Sequence, residues 1–336
     1  MDAGLVVAVV LAVAFAITNG FLDAANSIAA LVATRAATPL QAIVLASVFN
    51  LLGPLLVGAA VADTIGGIVM VTPSATNRVI GAGLASAVTW NVVARTRSLP
   101  SSSGQALVGG LVGAALAEGG INAVNWGGLH RGHPEGVFGT VISLAISPPL
   151  GALCALAVIR VLRRLGRRAT RRWHAPVRSG QWATAAALAF SHGANDAQKS
   201  VGVIAALLLA NGRIATLAAP TWVTLLCAAA LTVGTALGGW PIIRTVGRRI
   251  YRIQPIEGLA STAASAAVIF GASLAGAPTS TSQIVASSVV GVGGGRWRWH
   301  HVHWEVVRQM GVAWLITLPS TCALAAAVFE LWGWLT

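Results

Sequence analysis

Thr18-Asn19-Gly20-Phe21-Leu22-Asp23-Ala24-Ala25-Asn26-Ser27 lies inside apolar sequence, and 173 positions later Ser191-His192-Gly193-Ala194-Asn195-Asp196-Ala197-Gln198-Lys199-Ser200 repeats its pattern in a second apolar setting. Each copy places an aspartate where a membrane-spanning helix is expected. On insertion scales a charge at the centre of such a helix costs about 2.5 to 3.5 kcal/mol, so it persists where it faces a protein interior or a wet cavity and has work to do. The same penalty in both halves of one chain indicates a duplicated membrane protein with a polar site at the join.

Composition leads to the membrane class without any motif. Of 336 residues, 56% are hydrophobic and 9% charged, and the mean hydropathy is +0.76; an ordinary soluble domain carries about 25% charged residues. Glycine, at 38 residues, is too frequent for plain helices in water, whereas small residues let membrane helices approach closely and break. Cys154, Cys227 and Cys322 stand alone in separate apolar blocks and read as packing residues. Met1–Ala16 has no basic leader and runs straight into the first motif, so it reads as a retained first membrane segment.

The expected fold is an all-α integral membrane protein of about 10–12 membrane segments, built from two inverted-topology repeats with broken helices or hairpins. Apolar blocks fall at Ala3–Thr34, Leu40–Val61, Val79–Val93, Gln105–Ala117 and Val137–Val161, then Trp182–Leu209, Ile214–Trp240, Leu259–Leu274, Ser282–Val292 and Val306–Leu335. Residues 1–160 form the first repeat, 161–180 a basic linker and 181–336 the second repeat. An odd number of crossings per half turns the second half upside down.

Orientation follows from arginine. The stretch from 160 to 178 holds Arg160, Arg163, Arg164, Arg167, Arg168, Arg171, Arg172 and Arg178, which the positive-inside rule places in the cytoplasm. With every block crossing, Arg35, Arg95, Arg97, Arg244, Arg248, Arg249, Arg252, Arg296 and Arg298 join them, so 17 of 22 basic residues share that side. Arg78, Arg131 and Arg213 fall opposite, Lys199 and Arg308 lie in or near the membrane, and both termini are outside. Were the first and fourth blocks re-entrant, Arg35, Arg95 and Arg97 would move outside, so the all-crossing topology fits the rule better. The location implied is a cell membrane, multi-pass.

The net charge of +13 belongs to short loops beside anionic membrane lipids, and nucleic acid is not an expected partner. Arg296-Trp297-Arg298-Trp299-His300-His301-Val302-His303-Trp304 reads as an interfacial belt, and no metal site is assigned to its histidines.

A second internal match follows each first motif. Leu99-Pro100-Ser101-Ser102-Ser103-Gly104-Gln105 corresponds to Ala277-Pro278-Thr279-Ser280-Thr281-Ser282-Gln283. Proline suits a first helical turn, and hydroxyls after it cap free amides or face a ligand. Together the motifs bring Asp23, Asn26, Asn195, Asp196 and Lys199 to the same polar region as Ser101, Ser102, Ser103, Thr279, Ser280, Thr281 and Ser282, with Gln105, Gln198 and Gln283 in support. Positive helix ends, many neutral donors and one ammonium suit a small tetrahedral oxyanion. The aspartates would repel a bare anion; they bind a coupling proton or cation, or accept a hydrogen bond from a protonated oxyanion, which favours phosphate over sulfate.

These residues carry a resemblance. Asn19–Ser27 with Gly193-Ala194-Asn195-Asp196-Ala197-Gln198-Lys199, the paired Pro-hydroxyl runs and the basic linker resemble the PiT family of inorganic phosphate transporters across essentially the whole chain. The resemblance implies an inverted-repeat permease that imports phosphate by alternating access, driven by protons or sodium, with a divalent-metal phosphate complex as a possible cargo, no cofactor, and a possible homodimer. It implies Asp23, Asn26, Asn195 and Asp196 as substrate and ion ligands, with Asp23 and Asp196 on the coupling ion. Ser101 to Ser103 and Thr279 to Thr281 are then the hydroxyl donors. Phe21-Leu22-Asp23 and Gly104-Gln105 depart from the family pattern, and both departures fall in the first half.

Other readings stand beside these. Asn26 and Ser27 also suit hydrogen bonds across packed helices, and Ser101 to Ser103 suit a helix cap. Glu257 fits a helix start or a partner for Arg252, and His192 a local hydrogen bond to backbone. A permease of the same fold for sulfate or another oxyanion is the second transport reading. Lys199 with Ser102 or Ser280 as a Ser–Lys dyad is the enzymatic one, against which no Gly-x-Ser-x-Gly turn occurs.

Overall fold

The computed structural model describes residues 3–97, 99, 101–130, 133–166, 174–249, 253–294 and 302–335. Pro100, Arg131, Arg167, Arg168, Arg171, Arg172, Arg252, Arg296, Arg298, His300 and His301, singled out above, lie outside the described residues.

Among the described residues the regular structure is helical apart from a two-residue antiparallel pairing of Leu129–His130 with His133–Pro134 and an isolated bridge between Val69 and Val124. The first half contains α1 (Ala3–Ala33), α2 (Pro39–Leu56), the short α3 (Ala60–Gly66), α4 (Pro73–Thr96), α5 (Ser103–Gly119) and α6 (Gly136–Leu165). The second contains α7 (His174–Ala210), α8 (Thr221–Arg249), α9 (Pro255–Leu274), α10 (Thr281–Gly294) and α11 (Trp304–Leu335). Seven of these are long and apolar enough to cross a membrane; α4 and α7 have the length but more polar residues. The starts follow local chemistry. Thr38 and Gln41 form a reciprocal capping box before Pro39, Gln254 and Glu257 do the same before Pro255, and Ser102 accepts the Gln105 amide at 3.3 Å to open α5.

Contacts at the helix ends define two faces. On one, Arg178 Nε and Trp182 Nε1 donate to the Ala36 carbonyl at 3.0 and 3.2 Å, and Arg163 pairs with the fully buried Glu257 at 2.8 Å. This linker face therefore holds the α1–α2 turn, the end of α6 and the starts of α7 and α9. Glu257 thus opens a helix and pairs with Arg163, while Arg252, its expected partner, lies outside the described residues. On the opposite face Asn77 and Asn211 exchange amide hydrogen bonds at 3.2 and 2.8 Å, Met70 N donates to the Ala123 carbonyl at 2.8 Å, and Arg78 reaches the Phe329 carbonyl at 3.0 Å.

Two consequences follow. α1 runs toward the linker face while α7 runs away from it. The third and fourth blocks of each half also pair end to end: α4 and α5 form a hairpin open at the opposite face, and α9 and α10 a hairpin open at the linker face. α10, at 14 residues, is only about 21 Å long against a hydrocarbon core of about 30 Å. Arg95, expected in a loop beyond a full crossing, instead stacks over Phe21 at 5.1 Å, two residues before Asp23. Each half then runs from face to face with three helices, α1, α2 and α6 or α7, α8 and α11. Three is still odd, so the opposed directions are kept.

The halves interlock by exchange. α1 packs on α8 and α2 on α7, while α5 packs on α11 and α10 on α6. Close backbone approach makes this possible at two equivalent glycines: a Cβ on Gly20 would run into the Leu231 carbonyl of α8, and one on Gly193 into the Asn50 carbonyl of α2. Membrane helices associate through such small-residue contacts because burial of apolar surface gives no net drive in lipid.

Candidate functional site

The tips of the two hairpins meet between α1 and α7, at Asp23 and Asp196. Both helices run unbroken through their motifs; the breaks that sequence suggested fall only at the Pro-hydroxyl runs. Asp23 is 3% exposed, and Asp196 and Lys199 1% each.

Asp23 is surrounded by neutral donors. Asn26 Nδ2 donates to its Oδ1 at 2.7 Å, Ser282 Oγ donates to the same oxygen, and Ser103 Oγ donates to Oδ2 at 3.2 Å. Ser103 is shared with the Asn19 side-chain carbonyl, and Asn26 also donates to Ser282 at 3.1 Å.

Asp196 is surrounded by cationic and hydroxyl groups. Thr281 Oγ1 donates to its Oδ2 at 3.1 Å and Lys199 Nζ to its Oδ1; the same ammonium donates to the Thr279 carbonyl at 2.7 Å. His192 Nε2 lies 2.9 Å from Oδ2 without hydrogen-bond alignment. Its Nδ1 is 3.1 Å from Asn50 Oδ1. Because Asn50 Nδ2 is committed to Thr235 at 3.0 Å, the Asn50 oxygen faces the ring and Nδ1 carries the proton. His192 therefore bonds across to α2, not to local backbone.

The remaining candidates divide. Asn195 clamps the second hairpin, donating to Ser273 at 3.1 Å and the Ala277 carbonyl at 3.3 Å and accepting the Thr279 amide at 3.2 Å. Ser280 precedes α10 and its carbonyl accepts the Ile284 amide at 3.1 Å. Ser102 caps α5. Ser101 is not brought to the aspartates: its hydroxyl accepts from Trp90 Nε1 at 2.8 Å and pairs with Thr317 at 2.9 Å. Gln198 also points elsewhere, bonding the Gly58 carbonyl and the Val61 amide to fix the approach to α3. Buried polar atoms with no partner among the described residues include Asn19 Nδ2, Gln105 Oε1, Thr279 Oγ1 and Gln283 Nε2. Leaving such an atom unsatisfied costs about 1–3 kcal/mol, which a polar ligand would offset.

Asn19, His192 and Asn50 were the site residues least legible in sequence. Asn19 and His192 occupy the same place in the two motif copies, and Asn50 is the lone asparagine inside α2; those were the available signals. Asp23, His192 and Asp196 offer ligand atoms within 4.8 Å of one another, a grouping able to hold a cation. Helix N-termini of α5 and α10 point at the same place, and their dipoles favour negative charge there.

Buried carboxylates, an ammonium and convergent donors between two interlocked membrane halves define a transporter of small ions. Residues 19–325 match the Phosphate transporter family, and the chain belongs to that family. It is 36% identical over 323 residues to a Rhizobium meliloti (strain 1021) protein named "Probable low-affinity inorganic phosphate transporter", covering 96% of this chain and 94% of that one. A Mycobacterium tuberculosis (strain ATCC 25618 / H37Rv) protein of the same name is 38% identical over 329 residues, covering 97% and 77%. A solved structure titled "The sodium-dependent phosphate transporter" superposes with a TM-score of 0.87 at 25% identity, over 99% of this chain and 100% of that one. Family and relatives are transporters, not enzymes, and Lys199 Nζ bonds Asp196 and Thr279, with neither Ser102 nor Ser280 among its partners.

Proposed function

We propose that this chain imports inorganic phosphate across the cytoplasmic membrane by alternating access, coupled to protons or sodium. The observation that carries the reading is the delivery of Ser103, Thr281 and Ser282, at the starts of two short helices, to one buried pair of aspartates. Neutral donors can bind a tetrahedral anion and release it again, and a substrate that keeps its own proton, as hydrogen phosphate does, can donate to a carboxylate where sulfate cannot.

The opposed directions of α1 and α7, and hairpins open at opposite faces, support reading 1–160 and 181–336 as inverted repeats joined by a cytoplasmic linker, with both termini outside. Rocking of one repeat against the other then exposes the site to each side in turn. Ser282 bridges the halves at Asp23 and Asn26, so this contact changes as they move.

The test is uptake of radiolabelled phosphate by purified protein in liposomes under an inward proton gradient, an inward sodium gradient or neither, with sulfate as competitor. Accumulation under one gradient, resistant to equimolar sulfate, is the expected result and names the coupling ion. Folded protein that accumulates none, or loses uptake to equimolar sulfate, overturns the phosphate assignment.

A further inference from the structure

The two halves of the site are built alike until charge is considered. The first motif repeats at an offset of 173, pairing Asp23 with Asp196 and Asn26 with Lys199; the second repeats at 178, pairing Ser103 with Thr281 and Gly104 with Ser282. Ser103 holds one oxygen of Asp23 as Thr281 holds one oxygen of Asp196, at 3.2 and 3.1 Å. Three residues after each aspartate a nitrogen donor closes on the other oxygen: the amide of Asn26, and the ammonium of Lys199.

The surroundings of those two nitrogens differ in a matched way. Asn26 is met from the opposite half by Ser282, whereas the counterpart of Ser282 is Gly104, and a Cβ there would stand 3.2 Å from Lys199 Nζ. A serine hydroxyl would occupy the ground the ammonium takes. Nζ instead sits on a carboxylate oxygen and a main-chain carbonyl, that of Thr279 at 2.7 Å, which are the hard oxygen ligands a small cation selects. Among the described residues, Asp23 has no lysine or arginine partner.

We propose that the Lys199 ammonium is a tethered cation standing where Asp196 would otherwise bind a mobile one, so that a single mobile cation loads, at Asp23. This rests on the reading of the chain as a cation-coupled transporter. The charge count supports it: with Lys199 fixed, one mobile cation brings the Asp23, Asp196 and Lys199 set to neutrality, leaving His192 to be counted apart. In a low-dielectric interior a neutral set is the state that admits an anion most readily.

Lys199→Asn combined with Gly104→Ser gives the second half the Asn and Ser of the first. Na+ titration of purified, phosphate-free protein at constant ionic strength, followed by the unfolding midpoint, reads the site without transport. A ligand that binds only the folded state raises that midpoint. The double variant is expected to gain a further saturable Na+-dependent rise, beyond any that wild type and Lys199→Arg show through Asp23, and to lose that increment on adding Asp196→Asn. Identical Na+ responses in wild type and the double variant overturn the proposal. Should the double variant not fold, wild type alone decides: phosphate uptake against coupling-cation concentration gives a Hill coefficient of about 1, because the coefficient is bounded by the number of sites, and a value of about 2 overturns it. Absence of any phosphate uptake counts against the transport reading, whereas the Na+ titration judges Lys199 by itself.

Discussion

Asp23 and Asp196 occupy equivalent places in the two halves, yet one is held by neutral groups from both halves and the other by charged groups from its own. Ser103 and Ser282 reach Asp23 from opposite repeats. Lys199, His192 and Thr281 all reach Asp196 from the second. The difference teaches where motion registers. Under the rocking motion proposed above, displacing one half against the other would leave the Asp196 cluster intact and dismantle the Asp23 cluster, so the first aspartate would be the one whose environment alternates. A duplicated fold thus yields one fixed and one variable carboxylate from nearly the same sequence.

The largest effect should come from unpairing the fixed cluster. Asp196→Asn strands a buried ammonium, and breaking a buried pair from one side costs about 3–5 kcal/mol. Asp23→Asn leaves only neutral groups behind, so it should end driven uptake while keeping most of the unfolding midpoint. Adding Lys199→Gln to Asp196→Asn should restore much of the lost stability without restoring uptake. Thermal unfolding in detergent, run beside liposome uptake, checks all three. Equal midpoints for Asp196→Asn and Asp23→Asn would erase the distinction between the clusters.

The contrast between the clusters was half visible in sequence. A carboxylate in each apolar motif is legible because its insertion penalty demands a reason, and Lys199 facing Asn26 in the alignment already shows where charge enters. The Pro-hydroxyl runs are legible as helix starts because proline and serine have defined roles there. Hairpin versus crossing is not, because a block of apolar residues has the same composition either way; contacts such as Asn77–Asn211 and Arg163–Glu257 fix which face each end occupies. Nor does sequence say which of three consecutive serines faces the site, since a tight turn sends each hydroxyl in its own direction. Gly104, a departure from the expected hydroxyl, becomes intelligible once Lys199 Nζ is seen beside it.

Next in size are the equivalent hydroxyls. Ser103→Ala and Thr281→Val each remove a donor from a buried carboxylate, and hydrogen bonds to charged groups contribute about 1.5–3 kcal/mol. Each should lower kcat/KM for phosphate uptake by about tenfold or more, since 1.4 kcal/mol is a factor of ten. Similar losses in both would mark the shared frame beneath the charge asymmetry, while a loss confined to one would show that only one aspartate faces the substrate. Ser282→Ala tests the variable cluster more gently. Ser282 bonds the same carboxylate as Ser103, but Asn26 still holds that oxygen, so a loss at the low end of the about 1.5–3 kcal/mol range, about tenfold in uptake rate, is expected with the unfolding midpoint little changed.

The smallest effect separates the serine that faces the site from the one that does not. Ser101 lies two residues before Ser103 but bonds Trp90 and Thr317, tying the α4–α5 tip to α11. Thr317→Val removes the hydroxyl on the far side of that tie and keeps the side-chain volume. Interhelical hydrogen bonds in membranes contribute about 0.6 kcal/mol on average, because the unfolded helices find other partners in the bilayer. The unfolding midpoint should therefore fall slightly, with phosphate uptake kinetics unchanged. If Thr317→Val instead weakened phosphate binding as strongly as Ser103→Ala, the tip would transmit its packing to the aspartate, and the serines would have to be treated as one unit.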